Sequence, residues 1–310
     1  MKIIALIPIK NEGWILETCL SSLKGITDEI IAIDDGSDDN SVEILKKHSA
    51  TIISSKDHTE ISWAEHSIRE KLLELGRKHG GTHFICIDGD EAFSSNFKNN
   101  AKEIFESMKP SQKLSFKWVT LWQSILKYRN DGIYKDLYKD FVFCDDGFSK
   151  YPYAFLGVQR TPGENSQSSI IKIDSKIGVV LHFQYVDFMR SQLKQAWYRC
   201  SEFLKKGKSA KRINNMYKHS LPTEKILSNT EPIWLSELPK PILGNHSDYL
   251  DKINKWFDKY GIESFEPLQI WHIPELNDKF LEKVGRKPKS KTYHPILVRL
   301  NELKNKLKKK

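Results

Sequence analysis

The chain has few cysteines and no long apolar run, and each scarcity removes a class of protein. Four cysteines in 310 residues, Cys19, Cys86, Cys144 and Cys200, are scattered without C-x-x-C spacing. They give no disulfide framework and read as reduced, structural thiols. No stretch approaches the roughly 18 apolar residues that span a bilayer. Met1 to Ile9 has one lysine, a short apolar run and Pro8 but no cleavage site, so it reads as a strand, not a leader. The expected compartment is the cytoplasm, and the acceptor pattern Asn245-His246-Ser247 is then a chance match. A G-x-x-x-x-G-K-[ST] cradle is missing, as is a G-x-G-x-x-G after the first strand. Any phosphate is therefore expected to be held by a metal and side chains rather than by a glycine-rich loop. There is no internal repeat, and the only low-complexity stretch is the lysine-rich end.

What is present is ordinary globular composition, 39% hydrophobic and 29% charged, with a net charge of +9. That charge is local. From Lys279 to Lys310 there are 12 Lys and Arg against Glu282 and Glu302, a charge of +10, which leaves −1 for the rest. A neutral body argues against nucleic acid as a partner. His294 to Lys310 is expected to be a helix with Ile296, Leu297, Leu300, Leu303 and Leu307 on one side. Its lysine end suits an anionic membrane surface, and its leucines equally suit packing on the protein.

Strand and helix patterns alternate through the first 95 residues. Strands are expected at 2–9, 29–33, 51–55 and 84–87, with helices at 11–24, 41–47 and 62–78. Such alternation means βαβ units, right-handed crossovers and an open, doubly wound, mostly parallel sheet. A helix at 96–108 follows, then strands at 114–122, 141–144, 168–173 and 177–183 without helices between them. Helices at 187–206, 210–220 and 246–260 lead to the tail. The division expected is a catalytic domain over 1–185, with a nucleotide half (1–110) and an acceptor half (111–185), and a helical region over 186–310.

Two acidic turns end strands of the predicted parallel sheet, Asp34-Asp35-Gly36-Ser37 and Asp88-Gly89-Asp90-Glu91. Ligands bind at the carboxyl ends of such strands. A carboxylate can accept from a base N–H or a ribose hydroxyl, and a D-x-D pair suits a hard divalent cation that also carries phosphate oxygens. Each turn alone is also what a solvated loop looks like. Asp34 to Asn40 lacks the glycine and the late glutamate of a calcium loop. His182, after an apolar strand, is either a metal ligand or a packed histidine. Trp118, Trp122, Tyr151, Tyr153 and Phe155 are either acceptor-stacking rings or core. Loop placement favours exposure of Tyr151 and Tyr153.

The order Leu6-Ile7-Pro8-Ile9-Lys10-Asn11-Glu12, Ile33-Asp34-Asp35-Gly36-Ser37-Asp38-Asp39, Ile87-Asp88-Gly89-Asp90 resembles family-2 glycosyltransferases of the GT-A fold, over about residues 1 to 110. The resemblance implies transfer of a sugar from a nucleoside-diphosphate sugar, UDP-linked by preference, to a saccharide or lipid-linked acceptor, with inversion, in surface polysaccharide or glycan synthesis. It implies that Pro8, Lys10, Asn11, Glu12 and Asp35 line the base pocket. Asp88 would lie near the ribose, with Gly89 in the nucleotide-sugar site and Arg69 near the nucleotide. Asp90, and His182 if it is a ligand, would hold Mn²⁺ or Mg²⁺. Inversion needs a general base. Asp146, then Asp145, then Asp187 are the candidates, against a plain D-D-G hairpin turn. The rivals are a sugar nucleotidyltransferase, whose G-x-G-x-R start is absent, and a non-catalytic basic adaptor for membrane or RNA.

Overall fold

The first strand explains the architecture. In β1 (Ile3–Ile9), Ile3, Ala5, Ile7 and Ile9 join one apolar cluster while Ile4 and Leu6 join another. A strand with both faces apolar must lie inside a sheet covered on both sides. The computed structural model describes residues 1–54, 65–152, 159–163, 170–206, 208–244 and 247–289. In it β1 pairs in parallel with β2 (Glu29–Asp34), and β2 with β3 (Thr51–Ser54). On its other side β1 pairs in parallel with β4 (His83–Cys86). The crossovers are α1 (Leu16–Leu23), α2 (Ser41–Lys47) and α3 (Glu65–Lys78). Helix α1 buries Leu16, Cys19, Leu20 and Leu23 and is followed by Gly25 at φ 79°, a left-handed position that favours glycine. The second face is covered by Ile68, Leu72 and Leu73 of α3.

After β5 (Glu91–Phe93) and α4 (Lys98–Glu106) the pairings become mixed, mostly antiparallel. The strands are β6 (Lys113–Trp122), β7 (Lys127–Arg129), β8 (Tyr138–Cys144), β9 (Ile170–Lys172) and β10 (Val180–Tyr185). Strand β8 runs antiparallel to both β4 and β6, β9 runs parallel to β6, and β10 pairs with β5 and β6. With β11 (Leu227–Asn229) at the edge, the sheet order is β11-β7-β6-β8-β4-β1-β2-β3. All four cysteines are free and buried.

The chain divides into two compact units. One comprises Met1–Gln184 and Ile226–Leu243; the other comprises Tyr185–Lys225 and the chain from Gly244 onward. The segment 226–243, which contributes β11 and α7 (Pro232–Leu235), thus belongs with the sheet although it lies beyond residue 185. The second unit has a core of its own, built from α5 (Phe188–Lys206), α6 (Ala210–Met216), α8 (Ser247–Tyr260) and α9 (Pro274–Val284). Leu193, Ala196 and Cys200 form the inward stripe of α5, against Ile253, Phe257, Leu276 and Phe280. No helix among the described residues is long and apolar enough to cross a membrane. The expected tail helix, Lys304 to Lys310 included, lies outside the described residues, as do Tyr153, Phe155, Asn245 and His246.

Candidate active site

Because β2, β1 and β4 are neighbours and parallel, both acidic turns leave the same end of the sheet, about 10 Å apart at two strand spacings. The turn after β4 closes with Glu91 N–H donating to Asp88 O at 3.0 Å. Glu91 then enters β5, where it stands opposite His182 of β10, and Phe183 N–H donates to Asp90 O at 2.9 Å. The backbone ladder therefore brings Asp90 and His182 together before any side-chain contact is made.

Glu91 is the fully buried anchor of this turn. Its carboxylate accepts from both terminal nitrogens of Arg160 (2.6 and 2.7 Å), from Trp118 Nε1 (2.7 Å) and from the Asp88 amide (3.0 Å). Burial pushes its pKa up, with Arg160 opposing. Asp88 lies between two guanidiniums, Arg69 and Arg160, each at 2.8 Å. Burial alone would raise its pKa, but the two arginines outweigh that and hold it at about 2. Asp88 is thus an anion over the physiological range. Its two oxygens are oriented, one on each arginine.

The other turn is braced by cross-links to the β1 end. Asp34 takes the Gly36 and Ser37 amides (3.2 and 3.1 Å). Asn11, at φ 53°, donates its amide N–H to Ser37 Oγ (2.9 Å) and exchanges side-chain bonds with Asp38 (2.6 and 2.9 Å). Glu12 N–H reaches Ser41 Oγ (3.0 Å), and Gly13 N–H reaches Asp39 (2.9 Å). Lys10 binds Asp35 through both its carboxylate (2.5 Å) and its carbonyl (3.1 Å). Pro8, Lys10, Asn11, Glu12 and Asp35 therefore share one rim with Asp88, Gly89, Asp90 and Arg69.

Asp90 and His182 fit a divalent cation. Asp90 Oδ2 stands 3.6 Å from His182 Nε2, too far for a hydrogen bond and near the ~3 Å that separates adjacent donors around an octahedral ion. The ring is placed by stacking on Trp118 (4.2 Å between centroids, 22° between planes), and its buried Nδ1 has no partner among the described residues. Also among the described residues, no group of three or more His, Cys, Asp and Glu is arranged to hold a metal. Two protein donors suit an ion such as Mn²⁺ or Mg²⁺ that shares its remaining positions with phosphate and water.

Asp145 and Asp146 are not in this site. Strand β8 runs against β4, with Cys144 opposite His83, so its carboxyl end lies at the amino end of β4. Six residues of strand, about 20 Å, separate that end from Asp88. Asp145 is bound in bidentate fashion by Arg77 (2.7 and 3.0 Å). Asp146 accepts from Ser111 Oγ (2.6 Å), Ser149 Oγ (2.5 Å) and the Ser149 amide (2.8 Å). The D-D-G turn is structural. Asp187 caps α5 in the second unit, accepting the Arg190 amide (3.0 Å), and also takes Gly244 N–H (2.9 Å). Tyr151, expected to be exposed, is buried and donates to Arg160 O at 2.9 Å, which fixes the loop that carries Arg160. Trp122 is buried and Trp118 half-buried.

Sequence reasoning missed Glu91 as an anchor, Arg160, and Lys139. Lys139 Nζ sits 3.3 Å from the centroid of the Trp118 ring, and burial, with repulsion from Arg160, pushes its pKa down to about 8. Glu91 was legible in principle, being a carboxylate placed just before the apolar Ala92-Phe93 of β5.

Residues 4–101 match the model of the family described as Glycosyl transferase family 2. An uncharacterised glycosyltransferase of Rickettsia conorii is 28% identical over 177 residues, 55% of each chain. Another, of Rickettsia bellii, is 28% identical over 130 residues, 42% of this chain and 40% of that protein. The chain spans about half the length of the curated relatives it matches. Among solved structures, glucosyl-3-phosphoglycerate synthase of Mycobacterium tuberculosis, in a complex with Mg²⁺ and UDP, superposes over 38% of this chain and 43% of that one, at 18% identity and TM-score 0.31. A structure described only as a mycobacterial protein covers 43% of each chain, at 15% identity and TM-score 0.33.

Proposed function

We propose, on the premise that residues 4–101 make this chain a family-2 glycosyltransferase, that it moves a sugar from a UDP-sugar to a saccharide or lipid-linked acceptor using Mn²⁺ or Mg²⁺. The observation that carries the reading is the pair of acidic turns at one end of β2 and β4, with β1 between them. The rim from Pro8 to Glu12 with Asp35 receives the base, and Asp88, held anionic by Arg69 and Arg160, accepts from ribose hydroxyls. Asp90 and His182 would hold the cation, whose charge would screen the diphosphate.

Inversion at the anomeric carbon belongs to the same proposal, and NMR of the product's anomeric configuration tests it. The base it requires is not Asp145 or Asp146, whose oxygens are engaged far from the rim. Synthesis of a surface polysaccharide or glycan, with the basic tail at an anionic membrane face, completes the reading.

The test is Asp90→Asn. Wild-type protein should gain thermal stability with UDP and Mn²⁺ together and should turn over a UDP-sugar. The variant should lose the manganese-dependent part of the shift and about 10²- to 10³-fold in turnover, the scale on which one electrostatic contact to developing charge acts. Full activity in the variant would overturn the metal assignment.

A further inference from the structure

We propose that Lys139 and Trp118 form a subsite for a phosphoryl oxyanion, the diphosphate of the sugar donor, beside the Asp90–His182 pair. The proposal rests on the glycosyltransferase reading and adds a residue to it.

Lys139 lies on β8 in register with Phe116 of β6, so the two side chains share a face of the sheet with Trp118. The indole is held in place by its N–H on Glu91 and its stacking on His182, and the Lys139 ammonium rests on it at 3.3 Å. The neighbouring acids are already matched. Asp88 has Arg69 and Arg160; Glu91 has Arg160 and the indole. Lys139 itself donates no hydrogen bond and forms no ion pair among the described residues. The indole face attracts the ammonium but covers only one side of it, and its N–H groups favour an anionic acceptor on the other. A phosphate oxygen supplies what is missing.

The donor's diphosphate is favoured as the source because Trp118, on which Lys139 rests, donates to Glu91 of the acidic turn and stacks on His182, which faces Asp90. In transfer, the bond from the anomeric carbon to the β-phosphate oxygen breaks and its electron pair stays on that oxygen. The acceptor oxygen forms the new bond and releases its proton to the surroundings. Negative charge therefore grows where the ammonium is placed, which makes Lys139 a leaving-group stabiliser.

The experiment is isothermal titration of the full chain with UDP and with UMP, in EDTA so that no metal contributes, for wild type, Lys139→Met and Lys139→Arg. Lys139→Met should lose about 10- to 100-fold in UDP affinity, the worth of one charged hydrogen bond, with UMP affinity unchanged. Lys139→Arg should keep most of the UDP affinity, which separates lost charge from damaged packing. Equal losses for UDP and UMP, or no loss for either, would each overturn the assignment. If the wild type binds none of UDP, GDP, CDP and thymidine diphosphate, in EDTA or with Mn²⁺ in its place, the function reading falls and this inference falls with it. That failure differs in kind, because it precedes any substitution.

Discussion

At the scale of single residues, two carboxylates in similar acidic turns are held as anions by different means. Asp88 and Asp146 are both held at about 2, the first by two guanidiniums that outweigh its burial, the second by serine hydroxyls and amides that do the same. In the unfolded chain each would take a proton near pH 4. Between about pH 4 and pH 2 the unfolded state binds more protons than the folded one, so stability rises with pH across that window and is lost as pH falls through it. Urea midpoints measured from pH 5 to pH 2 should show that fall, and Asp146→Asn should flatten it while lowering stability at pH 7. An unchanged slope would mean that Asp146 titrates as it does in the unfolded chain. The shared rim of the two acidic turns was legible in the sequence because its residues sit within a few positions of two strand ends. Arg160 was not. It reaches Asp88 and Glu91 from a loop about 70 residues downstream, where nothing in the local pattern marks it.

At the scale of elements, the parallel half of the sheet follows from apolar alternation, whereas strand direction does not. The run Phe141 to Cys144 announces a buried strand, yet buried strands read alike whichever way they run, so the pattern does not show that Asp145-Asp146 leaves the sheet at the amino end of β4. Two junctions are sharply specified. Asn11 holds a left-handed conformation and exchanges hydrogen bonds with Asp38, so it ties the β1 turn to the β2 turn. Asn11→Gly keeps the conformation and loses only the bonds; Asn11→Ala loses both. Chemical denaturation should rank them wild type, Gly, Ala, with about 1 kcal/mol between the last two. Gly178, just before β10, faces the Phe97 ring and Cβ so closely that an added Cβ would lie 2.7 Å from the Phe97 Cβ. Gly178→Ala should cost about 1–3 kcal/mol, measured in the same way.

At the scale of the whole molecule, the charge and the core are distributed differently. All the excess positive charge belongs to residues 279–310, while two separate apolar cores build the two units. Leu276, fully buried in the second core, offers a test of that separateness. Leu276→Ala should cost the second unit about 2–5 kcal/mol. Hydrogen exchange read by mass spectrometry should show faster exchange in α5, α8 and α9 and unchanged exchange in β1 to β4. Faster exchange in both would mean one cooperative block. The helical unit was legible as helices with apolar stripes, but the return of 226–243 to the sheet was not, because β11 is three residues long and owes its place to pairing with β7.

The ladder between β5 and β10 has a consequence for how this protein tolerates change. Asp90 and His182 are brought to the same place by main-chain register, Glu91 opposite His182 and Ala92 opposite Leu181. Deleting one residue between Gly178 and His182 would slide the strand by a step and turn every side chain of it over. The imidazole would point to the far side of the ribbon and an aliphatic or phenyl group would stand in its stead. Length variation should thus be barred from that short stretch, however freely its individual letters are exchanged.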